Sequence, residues 1–150
     1  MFKSDNIREL WKDTDPMVWE GNYWLASFAL QEHDLVAEII SEALIDDSYH
    51  SVIRDQHEIA LILHETIWDK YRVQKSHQNE FGPLKGITFN VVVDIEVSGY
   101  LAPMVEKMAE HNISIVPQCA LIYDHVFIDT EDTSAVLSII ENIKYQAANI

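Results

Sequence analysis

Apolar residues change their spacing along the chain, and each change marks an element. Ile7, Leu10 and Trp11 fall on one face of a short helix over residues 6–12, which stops before Pro16. YWLASFAL (residues 23–30) is rich in strand formers, whereas HDLVAEIISEAL places Val36, Ile39, Ile40, Ala43 and Leu44 on one helical stripe. SYHSVIRD and EIALILH then predict two strands of a hairpin that turns at Gln56 and His57. From residue 68 to 85 the run WDKYRVQKSHQNEFGPLK is polar, ends in Gly82-Pro83 and reads as a linker. Beyond it, GITFNVVVDIEV predicts a strand, residues 100–111 a helix, ISIVPQCAL and YDHVFID two more strands, and residues 133–146 a final helix with Val136, Ile139, Ile140 and Ile143 on one stripe.

Each half thus runs strand, helix, strand, strand, and the second half ends in a further helix. Adding 65 to Val36, Ile39, Ile40, Ala43 and Leu44 gives Leu101, Met104, Val105, Met108 and Ala109, so the apolar spacing repeats as well as the element order. The predicted architecture is α+β: two ferredoxin-like units, with antiparallel sheets carrying helices on one face. The expected boundaries are a lead-in segment at 1–22, a first unit at 23–75 and a second unit at 85–150.

Composition narrows the function classes. Of the 150 residues, 48% are hydrophobic and 23% charged, enough apolar content for a packed core. No apolar run nears the roughly 20 residues needed to span a bilayer, and the start MFKSDNIRELWKD lacks a secretory core, which together with the single cysteine implies a reducing, cytoplasmic location. The net charge of −15 repels phosphate backbones and anionic lipid, so neither nucleic acid nor a membrane is an expected partner. The acidity is even: 15 acidic and 7 basic residues up to Lys75, then 10 and 3 after it.

Residues 86–143 resemble an ACT domain, in the branch of small tandem proteins similar to the units of cellular arginine sensors. The likeness rests on VVVDIEVSGYLAPMVEKMAEHNIS, on ISIVPQCALIYDHVFID with its Asp124-His125 before Val126-Phe127-Ile128, and on the closing DTSAVLSIIENI. In the first half it rests on YWLASFAL and EIALILHE. Tyr123 stands where related sequences often have histidine, and Pro117-Gln118-Cys119 replaces a small or polar stretch, so the ligand preference of the relatives does not transfer. The resemblance implies a non-enzymatic regulatory chain whose units pair side by side and bind a small molecule, an amino acid by family habit. An interaction or dimerisation module without a ligand is the alternative.

Candidate chemistry centres on the turn 97–103, Val-Ser-Gly-Tyr-Leu-Ala-Pro. Proline is tolerated among the first helical positions, where N–H groups have no partner in the helix, so Pro103 puts the N-cap at Gly99 or later. The N–H groups near Tyr100 and Leu101 then suit a carboxylate, with Ser98 and Gly99 beside them. Asp94, just before the turn, is a partner for a ligand's amino group or else a solvated strand-end carboxylate. Paired with Glu96 on one strand face it could serve acid–base chemistry, but no nucleophile accompanies it. Asp124 either meets the ligand or caps the tight turn before it. The expected ligand set is therefore Asp94, Ser98, Gly99, Tyr100, Leu101 and Asp124. The seven histidines show no metal-binding spacing, four glycines form no phosphate loop, and Cys119 in an apolar stretch reads as a buried structural thiol. No cofactor, no metal and no catalytic residue is expected; a homodimer is.

Overall fold

The computed structural model describes residues 2–149. The described residues form seven strands and five α-helices in two compact units, one made of Met1–Val18 together with Gly86–Ile150, the other of Trp19–Lys85.

The continuous unit contains β2 (Tyr23–Phe28), α2 (His33–Ala43), β3 (Ser51–Arg54), β4 (Ile59–His64), α3 (Glu65–Arg72) and the first half of β5 (Asn79–Phe89). Its strand order is β3-β4-β2-β5, and each of these neighbouring pairs is antiparallel. Alternation sends Ala26 and Phe28 of β2, with Ile59, Leu61 and Leu63 of β4, to one face, where they meet Val36, Ile39 and Ala43 of α2 and Ile67, Trp68 and Tyr71 of α3. Each valine, leucine and isoleucine among them contributes about 1.5–3 kcal/mol by leaving water. The β3–β4 hairpin turns without glycine because Asp55 Oδ1 accepts the N–H groups of His57 at 2.6 Å and Glu58 at 2.8 Å. Leu44, expected on the buried stripe of α2, is exposed, since the helix closes at Ala43.

The discontinuous unit takes α1 (Asp5–Asp13) and β1 (Pro16–Val18) from the start of the chain. To these it adds the second half of β5, α4 (Ala102–Glu110), β6 (Ile115–Cys119), β7 (Asp124–Asp129) and α5 (Thr133–Asn149). The order is β1-β5-β7-β6, with β1 antiparallel to β5 through Pro16↔Phe89 and Val18↔Ile87. Ile87, Phe89, Val91 and Val93 alternate onto the core face and pack with Met104 and Met108 of α4, with Val136, Ile140 and Ile143 of α5, and with Ile7 and Trp11 of α1. Glycine is required at position 86, where a Cβ would lie 2.6 Å from the Phe127 ring.

The lead-in at 1–22 is anchored by Trp11, and α1 and β1 belong to the same unit as residues 86–150, where β1 pairs with β5. Two sequence expectations change. The polar run from 68 to 85 is not a linker. It holds the end of α3, whose buried face is Ile67, Trp68 and Tyr71, and the first half of β5, which pairs with β2 through Tyr23↔Leu84 and Leu25↔Phe81. Finally, the strand predicted over GITFNVVVDIEV ends at Phe89. Val91 and Val93 stay buried as in a strand, but the segment has no ladder partner. Val91 N–H turns back to the Phe89 carbonyl and Val93 N–H reaches the Ile122 carbonyl.

Candidate functional site

The segment leaving β5 builds the site. After Val93, Asp94 folds the chain twice: its carbonyl accepts Val97 N–H at 2.9 Å, and its Oδ1 accepts Glu96 N–H at 2.9 Å. Gly99 then takes φ +91°, a left-handed conformation that favours glycine, and its carbonyl accepts Ala102 N–H at 3.2 Å. Leu101 is the N-cap of α4, Pro103 lies in its first turn, and Val105 N–H closes on the Leu101 carbonyl at 3.0 Å. The amide of Leu101, at the N-cap, precedes that first helical bond and has no partner within the helix, and Tyr100 lies one residue before it.

The turn is held from behind. Tyr100 is 3% exposed; its carbonyl accepts the Trp11 indole N–H at 2.8 Å, and its ring stacks on Trp11 with centroids 5.1 Å apart. Its phenol meets Thr14 Oγ1 at 2.6 Å, while the Thr14 hydroxyl donates to the Leu10 carbonyl at 2.8 Å, so the Tyr100 hydroxyl is the donor between them. Burial raises the Tyr100 pKa, and the charge of Asp124 adds to the rise. Tyr100 is therefore an anchor whose hydroxyl is spent on the protein.

Opposite the turn stands the β6–β7 hairpin tip. Ala120 N–H donates to the Tyr123 carbonyl at 3.1 Å, leaving Leu121 and Ile122 at the apex. Cys119 and Asp124 are the last ladder pair below it. Burial and a hydrogen bond to Asp124 push the Cys119 thiol up to about 11, so it is a protonated donor at neutral pH. The residue as a whole is exposed, which corrects the expectation of a buried thiol. His125 sits half-buried with Nδ1 2.8 Å from Thr88 Oγ1, and burial lowers its pKa.

Between turn and tip lies a cleft of about 320 Å³. Five of the six expected residues line it: Asp94, Gly99, Tyr100, Leu101 and Asp124. Ser98 is exposed and does not line it. The other lining residues include Val93, Val97, Ala120 and the tip residues Leu121 and Ile122, which sequence reasoning missed. Their signal was present: ALIY between two strands is an apolar turn where polar residues are usual. Among the described lining residues there are two carboxylates and neither lysine nor arginine. Such a surface accepts an amine near Asp94 and Asp124, offers amide donors at the start of α4, and packs an apolar body between. Among the described residues no three His, Cys, Asp or Glu side chains form a metal cluster, and no helix is long and apolar enough to cross a membrane.

No protein-family model and no curated protein matches the chain. Solved structures do. A Vibrio cholerae protein of unknown function, named a possible transport protein, aligns with a TM-score of 0.68 at 20% identity, covering 92% of this chain and 95% of its own. The α and β subunits of an aspartokinase align at 0.62 and 12% identity over 91% and 99% of the two chains. The regulatory subunit of the Thermus thermophilus aspartate kinase, in its ligand-free form, aligns at 0.62 and 10% identity over 85% and 95%. At these identities the likeness is one of fold. The chain thus shares a mixed α/β fold with antiparallel strand pairing with regulatory subunits of aspartate kinase.

Proposed function

We propose that this chain is a non-catalytic regulatory protein built of two ACT-like, ferredoxin-like units, which senses a small molecule in the cleft between the Asp94–Leu101 turn and the hairpin tip. The observation that carries the reading is the meeting of Asp94, Gly99, Leu101 and Asp124 at one cleft of about 320 Å³. An amino acid fits the chemistry: its ammonium group pairs with the carboxylates, its carboxylate takes the amides that precede α4, and its side chain lies against Val93, Val97 and Leu121. The fold shared with aspartate kinase regulatory subunits supports a regulatory role. A homodimer in the cytoplasm, with neither nucleic acid nor membrane as partner, completes the reading.

A second reading has its own observation. Ile95, Leu121 and Ile122 line the cleft and are exposed, as in a surface that holds a protein and no small molecule. A thermal-shift screen against the twenty amino acids separates the two. At a hundredfold excess over Kd a ligand adds about 2.7 kcal/mol, or roughly 5–10 °C for a chain of this size. Twenty unmoved midpoints favour the protein-holding surface.

A further inference from the structure

In the discontinuous unit α4 packs beside α5, and a groove of about 280 Å³ runs between the last turn of α4 and the first turns of α5. It lies away from the cleft described above, which opens at the other end of α4. Helical spacing builds it. On α5, Ala135, Ile139 and Ile143 share one stripe at steps of four, and Ser138 and Asn142 share the next. On α4, Lys107 and its C-cap His111 are again four apart and form the opposite wall. Ile139 and Ile143 belong to the core, so the floor is apolar, and the exposed Ala135 leaves room where a larger side chain would fill the groove.

The walls have a sign. The chain carries 25 acidic residues, yet none is among the residues that line this groove. The Lys107 ammonium donates to Glu110 Oε2 at 2.8 Å, a bond that raises its pKa and leaves two of its three N–H groups for another acceptor. Among the described residues the Ser138 hydroxyl and the Asn142 amide have no hydrogen-bond partner in the protein. His111 Nδ1 lies 2.8 Å from the Lys107 carbonyl, which can only accept, so that nitrogen carries a proton. The other charges of the two helices stand outside the lining: Glu106 and Glu110 on α4, and on α5 Glu141, which meets Lys144 at 3.7 Å. A carboxylate entering the groove therefore finds one cation and two neutral donors, whereas an amine finds a like charge.

We propose that this groove is a second binding site, one for a small aliphatic carboxylate. Its charge lies against Lys107, Ser138 and Asn142, and its chain covers Ala135, Ile139 and Ile143. Here the protein supplies the cation and the ligand the anion, the reverse of the cleft lined by Asp94 and Asp124. The inference is independent of what binds in that cleft.

Two-dimensional amide NMR of the labelled full chain, titrated with sodium acetate and with sodium butyrate against equal sodium chloride, tests the groove. The expected result is a saturable set of shifts confined to residues 107–111 and 135–143. Butyrate binds at least threefold more tightly than acetate, because the floor covers its added methylenes. Lys107→Gln weakens butyrate at least fivefold, Ala135→Phe closes the groove to it, and n-butylamine moves none of these signals. Where Ala135→Phe disturbs the fold, Lys107→Gln alone decides. Four outcomes would each overturn the site: no saturable shift, shifts at residues 93–102 and 119–124 instead, an equal response to butylamine, or full-strength binding in a folded variant.

Discussion

The indole N–H of Trp11 donates to the carbonyl of Tyr100 at 2.8 Å, joining residues 89 positions apart in the chain. Through this bond α1 fixes the turn that opens the cleft. Trp11→Phe keeps most of the packing but leaves the buried carbonyl without its donor. The expected cost is about 1–3 kcal/mol in urea unfolding, together with weaker ligand binding, because the turn loses its rear support. Binding at full strength in a destabilised variant would detach the site from α1.

The Thr14 and Tyr100 hydroxyls form the second rear contact, and they act as a pair. Thr14→Val strands a buried phenol and costs about 1–3 kcal/mol, whereas adding Tyr100→Phe removes the stranded group. The double variant is therefore expected to lose less than the two single variants summed, with a coupling of about 1 kcal/mol or more in a double-mutant cycle. Strict additivity would contradict the bond.

Gly99 holds φ +91°, and a Cβ there would find its closest neighbours, Ile7 Cδ1 and Lys3 Cδ, at 3.7 Å. Space is thus available and the backbone conformation is the obstacle. Gly99→Ala is expected to cost about 1–3 kcal/mol in stability, with Gly99→Asn costing less since asparagine tolerates a left-handed backbone. Equal losses in the two variants would point to crowding and not to φ.

Cys119 reports on Asp124 without any ligand. Its thiol is raised from an ordinary 9.0 to about 11 by burial and by Asp124, so the folded chain holds that proton more tightly than the unfolded chain. Stability from this group is complete below about 9 and is lost as pH rises towards about 11. Asp124→Asn removes the charge and leaves only a weaker, neutral acceptor. The midpoint of the pH–rate curve for alkylation of Cys119 is expected to fall, with faster reaction at pH 8–9. An unmoved curve would separate the thiol from Asp124.

Much of this was legible in the residues. The stripe Val136, Ile139, Ile140 and Ile143 marked α5, and Pro103 marked the start of α4, because periodicity and proline act locally. Asp94, Gly99, Leu101 and Asp124 were expected on turn chemistry and family likeness, and the structure places all four on one cleft. What was not legible depended on distant partners. Valines 91–93 are strand formers with no strand to pair, so they leave the ladder. The polar run through Gly82-Pro83 reads as a linker until β2 is set beside it. Likewise nothing local in Pro16-Met17-Val18 says that it completes a sheet begun at Gly86. Ser98 is exposed and lies outside the lining, although its neighbours Val97 and Gly99 both belong to it.

The central claim is that a small molecule binds in the Asp94–Asp124 cleft. Two-dimensional amide NMR of the labelled chain, titrated with each of the twenty amino acids, tests it most directly. The account predicts that at least one amino acid shifts a saturable set of signals confined to residues 93–102 and 119–124, and that Asp124→Asn weakens it by about 1–3 kcal/mol. A spectrum unmoved by all twenty, or saturable shifts that lie elsewhere in the chain, would contradict it.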